Sequence, residues 1–206
     1  IVQESMEKII VQLFLLRQEN ISKNAVMWLK QSCIFDKIYY RSILYEKRKD
    51  MNIRNAKLEE LPLIEAIYER ARNYMKETGN PNQWQDKYPL TEWVVRDIEN
   101  EDLYVCEEEG ELCGVFYFSL EPDPDYVVIE NGTWRDNAPH GIIHRVASSG
   151  SRKGVFPAIL NHCKGIIGNI RMDTHAENKV MQHVLEKQGF VHCGTVYVRG
   201  DSPRMA

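Results

Sequence analysis

The chain lacks several features that would assign a protein to a class at once. Its five cysteines are widely spaced and none forms a CxxC pair, which is typical of reduced thiols in a cytoplasmic protein. No apolar run approaches the roughly 18 residues that a membrane-spanning helix needs. The net charge of −4 gives no indication of a nucleic-acid partner. The histidines and cysteines show no metal-ligand spacing, so no metal site is expected.

The first 50 residues differ from the rest of the chain. They contain neither glycine nor proline, and they carry nine Lys and Arg against six Asp and Glu. Their apolar residues recur at helical spacing, which predicts a helical extension over residues 1–50. Two interpretations stay open: an ordinary appendage of the domain, or a fused or read-through segment ahead of a start codon at Met51. Residues 51–206 are expected to form a separate globular domain.

Beyond Met51, helical and strand patterns alternate. Helices are predicted at residues 59–78, 90–99 and 178–188, and strands at residues 51–56, 103–107, 112–120, 169–173 and 190–199. An irregular stretch at 121–140 interrupts the series, and a loop of that length inside a compact domain is usually functional or flexible. The pattern predicts an α/β domain.

The most informative segment spans residues 142–160. A β-prone apolar run is followed by a loop of small and basic residues at 148–154, and a helical pattern begins directly after it. At such a junction, free backbone N–H groups and the positive end of the helix dipole bind an anion. Arg152 and Lys153 add charge, and Gly154 lets the backbone approach a ligand. The segment therefore predicts a site for a phosphorylated ligand.

Two common phosphate loops do not fit this segment. A Walker A loop needs a lysine and a hydroxyl residue after its second glycine, and a dinucleotide fingerprint needs GxGxxG; the chain has neither. The sequence SRKGVF at 151–156 instead resembles the Q/R-x-x-G-x-G/A loop of the GNAT superfamily of N-acetyltransferases. The likeness extends over residues 51–206. It includes an opening strand at 51–57, a third strand at 112–118, and an asparagine, Asn178, ahead of a Gly-Phe pair at 189–190.

The resemblance implies a GNAT-type fold: a mixed, mostly antiparallel twisted sheet flanked by helices and split between its fourth and fifth strands. It also implies direct transfer of an acetyl group from acetyl-coenzyme A (acetyl-CoA) to a primary amine of a small molecule or peptide. Homodimers are common in the superfamily, which makes a homodimer an expectation by analogy. A different class stays open, namely an acyl-CoA sensor or interaction module without turnover.

The resemblance also implies roles for individual residues. Backbone groups after the centre of the fourth strand would contact the pantetheine arm, N–H groups of the loop would hold the pyrophosphate, and an asparagine would bond near the thioester. The cofactor-binding residues are then Val146, Ala147, Ser148, Arg152, Lys153, Gly154, Val155, Phe156 and Asn178. Three residues depart from the family pattern. Ser151 stands where Gln or Arg is usual, Phe156 where Gly or Ala is usual, and Leu185 where many relatives have the tyrosine that protonates the thiolate.

Three residues are candidates for proton transfer. His144 lies on the predicted central strand, and an imidazole with a pKa near 6.5 suits a general base. Glu130, in the long loop, is a second candidate base, and a chain of water molecules would need no side chain. Tyr197 is the candidate acid in place of the tyrosine that Leu185 replaces. A structural role stays open for each of these side chains.

The acceptor pocket is expected between the loop at 83–84, the segment 123–134 and the C-terminal strand. Trp84, Tyr126 and Trp134 are predicted to bind the substrate by stacking on it or enclosing it. Four acidic residues nearby would favour a cationic amine: Glu121, Asp123, Asp125 and Glu130. The alternative is a solvated acidic loop that its aromatic residues anchor to the core.

Overall fold

The structure is a computed structural model that describes residues 51–200 and 202–206. The predicted helical extension at 1–50 lies outside the described residues. The helices are α1 (Leu61–Glu77), α2 (Thr91–Glu99), α3 (Val155–Ile166) and α4 (Lys179–Lys187). The strands are β1 (Asn52–Asn55), β2 (Leu103–Glu108), β3 (Glu111–Ser119), β4 (Gly141–Ser148), β5 (Ile170–Arg171), β6 (Thr195–Val198) and β7 (Ser202–Met205).

Five strands form one mixed sheet in the order β1-β2-β3-β4-β5. The first four strands pair antiparallel, and β5 joins β4 in parallel. The predicted hairpin between β2 and β3 turns at Glu109 and Gly110, whose φ angles of 56° and 82° suit a tight two-residue turn. The predicted mixed, mostly antiparallel α/β fold is confirmed.

The sheet splits between β4 and β5. These strands pair only at Gly141 with Ile170 and at Ile142 with Arg171, so β4 has no β5 partner beyond Ile142. In addition, β4 carries an extra residue opposite β3, and Arg145 at this bulge has a φ of 51°. A bulge bends its strand and re-aims the neighbouring side chains. The divergence opens a cleft beside the second half of β4.

Two hydrophobic clusters hold the helices against opposite faces of the sheet. One joins α1 and α2 to the sheet through residues such as Ile64, Tyr68 and Val94. The other joins α3 and α4 to the opposite face. Helix α3 buries Val155, Ile159 and Cys163 at four-residue intervals, which places one stripe of the helix on the sheet. Burial of this apolar surface is the main term that stabilises the layered fold.

The C-terminal region differs from the prediction. The segment 190–199 was expected to be one strand, but β6 begins only at Thr195 and pairs with β7 as a separate antiparallel hairpin. The chain reverses at Arg199 and Gly200, which have φ angles of 55° and 94°. The prediction is wrong at its start, five residues too early, because residues 190–194 are irregular and Gly194, with a φ of 151°, packs on Ile129 and the Glu130 carbonyl directly before β6. The predicted strand at 169–173 is also shorter, since only Ile170–Arg171 pairs with β4.

The long loop at 121–140 is fixed to the C-terminal hairpin. Glu130 and Thr195 exchange two backbone hydrogen bonds, of 2.8 Å and 2.7 Å. Gly132 packs so closely on the backbone of Cys193 that a Cβ atom would overlap the Cys193 carbonyl oxygen. Tyr126 is buried with Ile142 and Val196 in a small third cluster. The loop is therefore part of the wall of the domain.

Candidate active site

A cleft of about 520 Å³ opens where β4 and β5 separate. Its walls come from α1, α2, β3, β4, α4, the loops at 83–88 and 121–125, the chain that follows β5 and the C-terminal hairpin. Among the predicted site residues, four line this cleft: Trp84, His144, Val146 and Asn178. Strand β4 connects the cleft to the predicted phosphate loop, because Val146 lies in the cleft wall and α3 begins at Val155.

His144 lies between two carboxylates. Its Nε2 atom is 2.8 Å from Oδ2 of Asp123, and its Nδ1 atom is 3.4 Å from Oδ1 of Asp173. The Tyr126 hydroxyl donates to the same Asp173 oxygen at 2.8 Å, and Nε of Arg204 lies 3.6 Å from the other. Only a doubly protonated imidazole can donate from both ring nitrogens. We call these five side chains the His144 cluster.

The His144 cluster stabilises the charged imidazolium. Burial alone would lower the pKa of His144, but its contacts with Asp123 and Asp173 outweigh burial and raise that pKa to about 9. Burial acts in the opposite sense on the two carboxyl groups, yet their bonds to His144 leave the pKa values of Asp123 and Asp173 below normal. The ordinary pKa assumed from the sequence therefore does not hold. At neutral pH, His144 is better suited to donate a proton than to abstract one.

Glu130 and Tyr197, the other two candidates for proton transfer, contact each other outside the cleft. The Tyr197 hydroxyl donates to Oε2 of Glu130 at 3.1 Å. Neither is among the described residues that line the cleft. The hydrogen bond also raises the pKa of Tyr197, which makes its hydroxyl a weaker acid. The structure brings these two residues together but does not bring them to His144.

The predicted substrate-binding aromatics divide into two groups. Trp84 lines the cleft, although it is only 6% exposed and packs edge-on against Tyr68. Tyr126 and Trp134 lie outside the cleft lining. Trp134 stacks under Arg171 and donates from Nε1 to the Tyr126 carbonyl at 3.1 Å. These two aromatics anchor the long loop to the core, which agrees with the alternative to substrate binding given for them above.

Among the described residues, three other aromatic side chains line the cleft, and no sequence pattern had indicated them. They are Tyr88, Trp93 and Tyr117. The Tyr88 and Trp93 rings meet edge to face, with centroids 5.8 Å apart. The signal available in the sequence was the position of Tyr88 and Trp93 close behind the Gln83-Trp84 pair.

Asn178 lines the cleft, and both the oxygen and the nitrogen of its amide make one hydrogen bond within the protein. Its Oδ1 accepts the N–H of Met181 at 3.0 Å and caps α4, and its Nδ2 donates to Oε1 of Gln83 at 2.8 Å. The Gln83 carbonyl in turn accepts from Arg199 at 3.0 Å. Asn178 therefore joins α4 to the loop at 83–88, and its side chain is only partly available to a ligand.

Most acidic groups of the cleft already have partners. Asp123 and Asp173 contact His144, and Asp125 accepts the backbone N–H of Arg199 at 3.2 Å. Glu121 lines the cleft with an exposed side chain, and its carboxylate has no hydrogen-bond or ion-pair partner among the described residues. Four arginines line the same cleft and offset its four carboxylates: Arg96, Arg145, Arg199 and Arg204. The lining therefore has no excess of negative charge to attract a cationic amine, and Glu121 is the feature that remains for that prediction.

A buried ion pair supports the bulge of β4. Arg145 donates to Asp97 of α2, and the guanidinium carbon lies 4.4 Å from the centre of the Tyr117 ring. The Arg145 and Asp97 side chains are 9% and 2% exposed. No local pattern in the sequence indicates this pair, because its members are 48 residues apart.

The loop between β4 and α3 uses its first residues for hydrogen bonds within the protein and leaves the N–H groups at the start of α3 without a cap among the described residues. Ser149 donates its N–H to the Cys113 carbonyl at 3.0 Å, and the Ser149 and Ser151 hydroxyl oxygens lie 2.7 Å apart. Gly154 precedes α3 with a φ of 84°, and no side chain caps this end of the helix. The first N–H groups of a helix have no partner within it, so this end of α3 fits a phosphate group.

The side chains around this loop differ in how they are used. Arg152 contacts Glu108 at 3.0 Å and Glu109 at 3.1 Å, whereas Lys153 is exposed. Ser148 accepts the N–H of Gly150 at 3.1 Å. Ala147, Val155 and Phe156 are buried in the core, so the Phe156 ring, which departs from the family pattern, points away from the loop surface. Val155 packs directly on Gly114 of β3, where a Cβ atom would overlap the Val155 side chain.

Residues 51–200 and 202–206 hold neither a metal-ligand cluster nor a membrane-spanning helix. This part of the chain holds no group of three or more His, Cys, Asp or Glu side chains placed to ligate a metal ion. It also holds no helix with the length and hydropathy needed to cross a membrane.

Comparison with known proteins identifies the family. A GNAT-family acetyltransferase from Streptococcus agalactiae 2603 is 30% identical, matches 76% of this chain and 93% of its own, and superposes with a TM-score of 0.68. A protein of Staphylococcus aureus Mu50 is 29% identical over 68% of this chain and 91% of its own, with a TM-score of 0.54.

A GNAT-family acetyltransferase from Listeria monocytogenes 4b F2365 shares the fold at 19% identity, with a TM-score of 0.56 over 76% of this chain and 94% of its own. Neither a protein-family model nor a curated protein matches the chain. The sequence motifs, the split sheet and the S. agalactiae relative agree, and the chain belongs to the GNAT family of acetyltransferases.

Proposed function

We propose that this acyltransferase moves an acetyl group directly from acetyl-CoA to a primary amine of a small molecule or a peptide. One observation carries the proposal: a single strand, β4, joins the open cleft at His144 and Val146 to the uncapped start of α3. A thioester in the cleft and a pyrophosphate at the loop would lie along that strand. GNAT acetyltransferases use acetyl-CoA as the donor, and the described residues fit it.

Different backbone segments of the protein would bind different parts of acetyl-CoA. The backbone at Val146–Ser148 would hold the pantetheine arm, and N–H groups of Arg152–Phe156 would hold the pyrophosphate. Acetyl-CoA supplies the thioester. The acceptor would enter beside Tyr88, Trp93 and Glu121, which line the open side of the cleft. Both reactants would then be oriented in one cavity, which lowers the entropic part of the barrier.

Acetyl transfer requires two proton movements. The amine nitrogen forms the new C–N bond as the C–S bond breaks, the amine loses a proton, and the thiolate gains one. The raised pKa of His144 and its place in the cleft lining favour this residue as the donor to the thiolate, to which the Nε2 proton would move from its hydrogen bond with Asp123. Glu121, which has no partner among the described residues, or water would accept the amine proton. In this assignment His144 acts as the acid, and not as the base that the sequence predicted.

Calorimetric titration of the full chain tests the cofactor first. We expect acetyl-CoA to bind with micromolar affinity and ATP, the control, not to bind. Addition of a panel of amines should then release free thiol from acetyl-CoA. Binding without thiol release for any amine would favour an acyl-CoA sensor, and no binding by a folded sample would contradict the proposal.

The pH dependence of the rate tests the role of His144. If His144 is the acid, the rate should fall as pH rises through about 9, and His144→Gln should lower the rate on the order of 10²-fold. If His144 were the base, the rate should instead rise through the same pH range. A near-normal rate in folded His144→Gln would assign the residue a structural role.

Two acceptor amines test whether the negative charge of Glu121 contributes to acceptor binding. Glu121→Gln should raise the KM of a diamine more than that of a monoamine of equal length, because only the diamine carries a second positive charge. Equal effects on both acceptors would instead identify Glu121 as a proton acceptor or as a residue without a role in specificity.

A further inference from the structure

Arg70 of α1 lies flat against the phosphate loop. A Cβ atom built at Gly150 would overlap Nη2 of Arg70 and would lie 2.9 Å from both its Cζ and its Nε. The whole guanidinium group therefore packs on the Gly150 backbone. Gly150 also has a φ of 74°, a conformation that favours glycine. The close approach depends on the missing side chain at residue 150.

The positive charge of Arg70 has no counter-ion among the described residues. Its side chain is exposed, and it has no hydrogen-bond or ion-pair partner among the described residues. Three arginines with carboxylate partners differ from it: Arg54 contacts Glu60 and Glu107, Arg145 contacts Asp97, and Arg204 contacts Asp173. A guanidinium group held against a loop without a carboxylate is a ready partner for an anion.

The loop itself has little positive charge to offer. Ser151 occupies the position where the family pattern has Gln or Arg, and Glu108 and Glu109 neutralise Arg152. Pro157, the third residue of α3, has no N–H and so removes one of the donors at the helix end. Lys153 is the remaining cation of the loop. A pyrophosphate bound here would need positive charge from another element.

We infer that Arg70 is a binding residue for the pyrophosphate of acetyl-CoA and replaces the basic or amide side chain that Ser151 lacks. The inference rests on the proposed function. The guanidinium offers parallel N–H donors that match two phosphate oxygens, and Gly150 allows it to lie beside the loop's backbone donors. The anion would then be held between α1 and the start of α3.

Binding measured by calorimetry tests the inference on the full chain. Arg70→Gln should weaken the binding of coenzyme A by about ten-fold or more, the loss expected for hydrogen bonds to a charged group. Lys76→Gln is the matched control, because it removes one positive charge from the same helix where Lys76 contacts Asp86. Arg70→Lys should be intermediate, since lysine keeps the charge but not the paired donors.

An acetyl donor that lacks the phosphate groups of coenzyme A shows which part of the cofactor Arg70 binds. Arg70→Gln should leave the KM of S-acetylpantetheine unchanged, because that donor has no phosphate groups. Gly150→Ala should displace the guanidinium group and weaken coenzyme A in the same way, and the double variant should lose little more than either single variant.

Three outcomes would overturn the inference. One is an affinity of Arg70→Gln for coenzyme A equal to that of Lys76→Gln. A second is an equal loss with S-acetylpantetheine, which would indicate a general structural effect. The third is failure of the unmodified chain to bind coenzyme A, which would overturn the proposed function as well. In the first two outcomes the proposed function survives.

Discussion

The His144 cluster and the phosphate loop are both rich in polar groups, but they use them differently. In the cluster, the carboxylates of Asp123 and Asp173 pair with the two ring nitrogens of His144 in a partly buried wall of the cleft. In the loop, the end of α3 is uncapped and Arg70 has no partner among the described residues. The cluster is a structural unit that also faces the cleft, whereas the loop has binding capacity left for a ligand.

The difference shows that charge alone does not identify a binding group. Asp123 and Arg152 both belong to predicted functional segments, yet each is neutralised by neighbours in the folded chain. Charged groups that remain available include Glu121 in the cleft and Arg70 and Lys153 at the loop. Variants of the cluster should therefore lower stability as well as the rate, because His144 is also the proposed acid, whereas variants at the loop should lower ligand affinity.

The largest effect is expected when the cluster loses a carboxylate. Asp173→Asn leaves His144 and Arg204 without their shared counter-ion in a site where the Asp173 side chain is 9% exposed. Breaking such a pair should lower the free energy of unfolding by about 3–5 kcal/mol, measured by urea denaturation. Asp86→Asn, on the surface, is the control and should change nothing measurable. A loss below about 1 kcal/mol in Asp173→Asn would contradict the picture of a mutually stabilised cluster.

The pH dependence of stability should show the cluster directly. Because folding raises the pKa of His144 from 6.5 to about 9, its contribution is complete below pH 6.5 and is lost as pH rises to about 9. The expected loss is roughly 3 kcal/mol of unfolding free energy. At the acid end, Asp123 and Asp173 have lowered pKa values, so their contribution is lost as pH falls through those values.

His144→Gln supplies the comparison for that titration. The variant is less stable, but its unfolding free energy should no longer fall between pH 6.5 and 9. Urea denaturation across this range would measure both slopes. Equal slopes in the two proteins would mean that another group causes the dependence.

A smaller effect is expected at the base of the loop. Gly114→Ala would place a methyl group against Val155, the first residue of α3, and should cost about 1–3 kcal/mol of stability. Gly165→Ala is the matched control, since a Cβ at Gly165 in the same helix meets nothing and should stabilise the protein slightly. If both variants had the same stability, the close packing of β3 on α3 would not be energetically important.

The sequence predicted the elements that have local signals. The unit of β4, loop and α3 follows from an apolar run, small residues around Gly154 and helical spacing after it, and the structure has all three. The hairpin of β6 and β7 was missed because β7 has the sequence SPRM, which contains a proline and no apolar alternation, so the local pattern does not predict a strand there.

The partners of the site residues were not predictable in the same way. His144 was found by its position on the central strand, but Asp123 and Asp173 lie 21 and 29 residues away in sequence. Their effect on its pKa arises only when β4, the long loop and the chain after β5 meet. Asn178 shows the same limit, because its bond to Gln83 spans 95 residues. Local pattern located these side chains, and tertiary contacts decided their chemical state.

Gly132 has a consequence for how this protein's tolerance to substitution should be interpreted. It lies in an exposed part of the long loop, yet the Cys193 carbonyl leaves no space for a side chain. In a saturation scan scored by enzyme activity, nearly every replacement of Gly132 should score as inactive, and the position would resemble a catalytic residue. A parallel score of protein abundance would fall equally at Gly132, which separates an assembly defect of the loop from a lost chemical group.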